Sequence, residues 1–126
     1  MDIQLTAKDV FALSPQIEVT VCGNTSGERF FLEIRPGSKM PEFRAELQSL
    51  YQYQTEQLTE FHRRIIPIAG KTDFTLKQFE AWKELIITDQ DLYLITTWSK
   101  NAENRVIEAL AGKMHEMLQN AEKSNM

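Results

Sequence analysis

Apolar and polar positions alternate in two short runs near the start of the chain and recur at helical spacing after them. In "QIEVTVC", Ile17, Val19 and Val21 fall on one side and Glu18, Thr20 and Cys22 on the other. "RFFLEIR" repeats the pattern with Phe30, Leu32 and Ile34 inward. The intervening "GNTSGE" holds two glycines and turn formers, so the segment 16–35 predicts a β-hairpin. Two strands alone are marginal in water, so this hairpin must lie on helices or pair with another chain. Ahead of it, Thr6 and Asp9 stand three apart and Leu5 and Val10 flank them, a cap and staple that predict a short helix over 6–13. Ser14-Pro15 stops it, because proline disfavours a helical residue before it.

Beyond "PGS" the period changes. Phe43, Leu47, Leu50, Leu58, Phe61 and Ile65 form a seam at spacings of three and four, with Gln54 filling the gap. Pro41 suits a first helical turn, Glu42 and Glu46 lie early, and Arg63 and Arg64 lie late, as the helix dipole favours. The pattern predicts a helix over 39–66, ended by Pro67. Thr75 with Gln78 reads as a capping box and Phe74 with Phe79 as a staple, so 76–87 is expected to be helical. Thr88 and Asp89 offer a further start, for a helix over 89–98. Ser99 or Asn101 can cap a last helix over 101–121, with Ala102, Val106, Leu110, Met114 and Met117 on one stripe. The expected fold class is therefore α+β and predominantly α: an N-terminal β-hairpin packed on a bundle of about four helices, within a single domain, 1–126.

Bulk composition narrows the function. The chain has 126 residues, 42% hydrophobic and 25% charged, ordinary values for one globular domain. Its net charge is −4 and no basic tract is present, which argues against nucleic-acid binding. The one cysteine, Cys22, cannot form an internal disulfide. No run approaches 18 apolar residues, and "MDIQLTAKD" lacks the pattern of a secretory signal, so a cytoplasmic location is expected.

No constellation carries catalysis. Gly70-Lys71-Thr72 ends like a phosphate-binding loop, but the position that needs the leading glycine is Ile65. His62 and His115 are the only histidines and no metal-ligand spacing surrounds them. Asp89 and Asp91 would point to different sides of a helix. No serine sits in a nucleophile elbow. Neither a cofactor nor a metal is expected, and no residue is assigned to catalysis. The surface candidates are aromatic and sulfur-bearing: Phe31 on the polar side of its strand, Tyr51 and Tyr53 beside the long seam, and Met114 and Met117 on the last helix. Such residues are favoured at partner contacts as well as in cores. A six-turn seam in a small domain can outrun its intramolecular partners, and Gln54 suits a wet or inter-chain contact better than a dry core.

One segment points to a family. Within "ITTWSKNAENRVIEALAGKMHEM", Thr96-Thr97-Trp98, Ala102-Glu103-Asn104, Val106, Leu110, Gly112 and Met114 resemble the C-terminal helical part of tail assembly chaperones of long-tailed, lambda-like bacteriophages. The resemblance implies a non-enzymatic protein, absent from the mature particle. It would keep the tape measure protein soluble and help recruit the major tail protein, with several copies acting on one tape measure. The alternative from the residues alone is a small phage- or bacterium-encoded inhibitor or immunity-type binding module.

Overall fold

The computed structural model describes residues 3–40, 44–71 and 73–123. Its elements run α1 (Ala7–Phe11), β1 (Ile17–Asn24), β2 (Arg29–Ile34), α2 (Arg44–Ala69), β3 (Thr75–Gln78), β4 (Trp82–Asp89), β5 (Leu92–Ser99) and α3 (Asn104–Lys123). The five strands form one sheet in the order β2-β1-β5-β4-β3, and each neighbouring pair is antiparallel. Helices α1 and α3 cover one face of this sheet, and α2, which links β2 to β3, packs on the other.

This corrects the expected fold class. The chain is a five-stranded antiparallel sheet with three helices among the described residues, not a helical bundle carrying a hairpin, and "helical" does not describe it. The segments expected as helices over 76–87 and 89–98 are β3, β4 and β5. Their physical signal is β-branching: Ile86-Ile87-Thr88 and Ile95-Thr96-Thr97 fit a pleated surface better than a helix. Residues 92–98 are all buried because helices cover both faces of β5. A strand buried on both faces shows no period-two alternation, so its pattern is indistinguishable from a buried helix. Thr75 and Gln78 are the ends of β3 rather than a capping box. Asp89 pairs with Leu92 across a two-residue turn at Gln90-Asp91, and Gln90 takes a φ of 53° there without a glycine.

The remaining elements differ in detail. Strands β1 and β2 lie within 16–35, but β1 is central and pairs with β5 as well as β2. Thr20 and Cys22, read as the polar side of β1, are buried, and Cys22 packs in the core on the α1–α3 face. In α1, Thr6 Oγ1 accepts from Asp9 N at 3.2 Å, while Thr6 N donates to the Asp9 carboxylate at 3.1 Å. Helix α2 continues through Pro67 to Ala69, and Gly70 ends it with a φ of 85° and an N–H bonded to Ile66 O at 2.9 Å. Pro41 and Phe43 lie outside the described residues. The buried stripe of α3 is Ile107, Ala111, Met114, Leu118 and Ala121, shifted from the expected one, and Val106 faces out. Lys83 on β4 anchors the start of α3 by donating to Ala102 O at 2.6 Å and Asn104 Oδ1 at 2.7 Å.

Two cores result. Val10, Ile17, Cys22, Leu85, Leu94, Trp98, Ile107, Met114 and Leu118 pack between the sheet and the α1–α3 layer. Val19, Val21, Leu32, Leu47, Tyr51, Ile86, Tyr93 and Ile95 pack beneath α2. The second core is smaller, and its incompleteness creates the site.

Candidate protein-docking face

At 26 residues, α2 is about 39 Å long at the α-helical rise. The buried residues of α2, Leu47, Tyr51 and Thr55, all lie in its first half. Leu47, Tyr51 and Thr55 are buried against the sheet, and Leu58 is partly so. Leu50, Tyr53 and Phe61, on the adjoining side of the helix, are exposed, and Ile68 near the C-terminal end is 83% exposed. Between this side of α2 and strands β3 and β4 lies a groove of about 600 Å³. Leu50, Tyr53, Gln57 and Phe61 form its helical wall; Lys77, Phe79, Trp82, Glu84 and Ile86 form the sheet side.

The inner corner of the groove is polar and hydrogen-bonded. Tyr51 Oη and Thr97 Oγ1 are 2.5 Å apart, a direct bond from α2 to β5. Burial pushes the Tyr51 phenol up to about 12, with the Thr97 bond opposing and the nearby Glu84 charge adding to the rise. Thr55 Oγ1 donates to Tyr51 O at 2.8 Å. Gln54 Nε2 donates to Glu84 Oε1, so the seam's one polar residue bonds across to a buried carboxylate. Burial raises the Glu84 pKa; the Gln54 hydrogen bond and the Lys77 charge act against that rise. The rim is apolar: the Phe79 and Trp82 rings meet at 6.1 Å with a 58° tilt. Strand β3 is a sheet edge with no strand on its outer side among the described residues.

The exposed apolar surface is concentrated here. Eight large apolar side chains are exposed among the described residues: Leu50, Tyr53, Phe61, Ile66 and Ile68 on α2, Phe74 and Phe79 beside β3, and Val106 on α3. Leu50, Tyr53, Phe61 and Phe79 line this groove. Scattered exposed apolar residues are normal, whereas a contiguous patch marks a contact surface.

The sequence candidates fall in different places. Tyr53 lines the groove and is 62% exposed, and Tyr51 closes its inner end. Phe31 and Met117 are partly buried against the α1–α3 core, and Met114 is fully buried within it. The structure thus brings Tyr51 and Tyr53 together and sets the other three on the opposite side of the sheet. Helical spacing assigns Leu50 and Phe61 to the core seam, and it singles out none of Phe79, Trp82 and Glu84 as a site. Gln54 and the length of the helix are the legible signals for this surface. Of the residues weighed for chemistry, His115 Nε2 lies 3.1 Å from Asp89 Oδ1, bridging α3 to the end of β4. No cluster of three or more His, Cys, Asp or Glu that could hold a metal occurs among the described residues. No described helix is long and apolar enough to cross a membrane.

Among solved structures, the crystal structure of a Roadblock/LC7 domain from Streptomyces avermitilis superimposes with a TM-score of 0.65 at 11% identity, covering 94% of this chain and 93% of that one. The chain has a Roadblock/LC7 fold. The gliding protein MglB from Thermus thermophilus is similar with a TM-score of 0.70 at 11% identity, over 92% of this chain and 85% of that one. MglC from Myxococcus xanthus gives 0.54 at 12% identity, over 83% and 92%. A further MglB structure, described as having a tetrameric arrangement, gives 0.65 at 11% identity, over 92% and 85%. No protein-family model and no curated protein matches the chain. At these identities the shared property is the Roadblock/LC7 fold itself.

Proposed function

We propose that the protein is a non-catalytic interaction domain that assembles with a second copy of itself through the α2–β3 flank. The observation that carries this reading is the gathering of the exposed apolar side chains of α2 and β3 beside an unpaired strand edge. A two-fold axis at that flank would set each copy's α2 against the other's groove and its β3 edge against the other's β3, an isologous contact that covers both liabilities at once. The MglB structure with a tetrameric arrangement supports the idea that this fold assembles.

Sedimentation equilibrium tests the reading. The wild-type chain is expected to dimerise, and a Tyr53→Asp/Phe61→Glu double variant is expected to be monomeric with an unchanged circular dichroism spectrum. A wild type that stays monomeric at high protein concentration overturns it.

A second reading is supported by the same strip. An exposed apolar helix beside an apolar groove also suits an amphipathic helix from another protein. A tail assembly chaperone would need that capacity for its tape measure protein. This reading rests on the resemblance of residues 95–117 and is tested by co-expression: a tape measure protein that precipitates equally with and without the chain rules it out. An inhibitor or immunity-type role would instead give one stoichiometric partner that loses its activity.

A further inference from the structure

Glu84 is a carboxylate at the polar inner corner of a mostly apolar groove. It lies on β4, is 5% exposed, and accepts a hydrogen bond from Gln54 on α2. From β3 it is opposed by Lys77, its cross-strand partner, and from β5 by Thr97. Tyr51 on α2 is the other titratable group close enough to feel its charge. A carboxylate in this position is tolerable while the groove is open to water. It becomes costly once apolar side chains close the groove, because a desolvated charge needs a full set of partners. Among the described residues, Gln54 is its direct side-chain hydrogen-bond partner.

We propose that Glu84 gates assembly at the α2–β3 flank, so that closing the groove over a second copy takes up a proton on its carboxylate. This rests on the self-assembly reading above. The sign follows from linkage: the assembled state holds the Glu84 proton more tightly than the free chain does, so association strengthens as pH falls. The free chain already leans this way, since burial raises the Glu84 pKa against the opposing effects of Gln54 and Lys77. Tyr51, pushed up to about 12, stays protonated throughout. His62, half-buried on α2, has its pKa lowered by burial. His62 does not line the groove, and it is present in both proteins compared below.

The test is the dimer dissociation constant of the wild type and of Glu84→Gln between pH 7.5 and pH 5.0. Glutamine keeps the shape and removes the charge. The wild type is expected to tighten by up to about a hundredfold on acidification, the effect of a one-unit further rise in the Glu84 pKa at each of the dimer's two sites. Glu84→Gln removes both carboxylates of the dimer and is expected to bind up to about a hundredfold more tightly than wild type at pH 7.5 and to lose the acid-driven tightening. A wild type that does not tighten overturns the proposal without any variant. Parallel pH profiles for the two proteins do so as well, and would mean that Lys77 neutralises Glu84 in the dimer. Either result leaves self-assembly standing, whereas monomers at every pH in both proteins remove the assembly reading itself.

Discussion

Tyr51 and Thr97 share a 2.5 Å hydrogen bond that ties α2 to the central strand β5 inside the smaller core. Both residues are buried, so neither hydroxyl has water to fall back on. Tyr51→Phe removes one hydroxyl and orphans the other, and should cost about 1–3 kcal/mol in urea unfolding. Thr97→Val should cost a similar amount. The double variant should cost clearly less than the sum, because no polar group is then left unpaired. Additive losses would show that the bond does not hold α2 to the sheet.

Gly23 and Tyr93 are register partners on β1 and β5. A Cβ on Gly23 would lie 2.5 Å from Tyr93 Oη and 2.5 Å from the Glu28 carbonyl oxygen. That carbonyl accepts the Asn24 N–H at 2.8 Å in closing the β1–β2 turn, so it is not free to move. Gly23→Ala should therefore destabilise by about 1–3 kcal/mol, as overpacking does. Adding Tyr93→Phe should recover only part of the loss, since the backbone clash persists. Thermal unfolding of the three proteins measures this, and a neutral Gly23→Ala would contradict the packing described.

Cys22 is fully buried on the α1–α3 face, and burial pushes its thiol up from 9.0 to about 12. The folded protein should resist iodoacetamide at pH 8, while the urea-unfolded chain should be alkylated readily. The raised pKa also has a sign in stability. The folded state keeps the proton longer than the unfolded chain, so this stabilising contribution is present below pH 9 and is lost as pH rises towards 12. Cys22→Ala should therefore show a shallower loss of stability over that range. Fast labelling under native conditions would place Cys22 outside the core.

The contrast between α1 and β3 explains how much of the fold was readable. Thr6 caps α1 through Asp9, three residues away, and that bond is written in four consecutive letters. Thr75 and Gln78 offered a similar pairing and became the ends of a strand. The difference lies in what surrounds them: β3 pairs with β4, β4 with β5, and β5 with β1. At the turn between β4 and β5, Gln90 adopts a positive φ that glycine would normally signal, so the punctuation was missing too. The candidate docking face was partly readable. Gln54 stood out in the seam, and it is the residue that bonds to Glu84. Which side of α2 stays open was not readable, because Leu47 and Leu50 are equally apolar and only the placement of the sheet buries one and exposes the other.

By itself, then, the sequence determined the local features: the α1 cap, the turn between β1 and β2, a long amphipathic α2 and an α3 that follows a polar break. These depend on bonds between residues a few positions apart. The tertiary structure alone decided that β3, β4 and β5 would be strands, and that the sheet would bury only the first half of α2. Those outcomes depend on pairings such as Val21 with Ile95, between segments far apart in the chain. Such pairing satisfies backbone hydrogen bonds and buries both faces of β5 together, and it overrides the local helical cues.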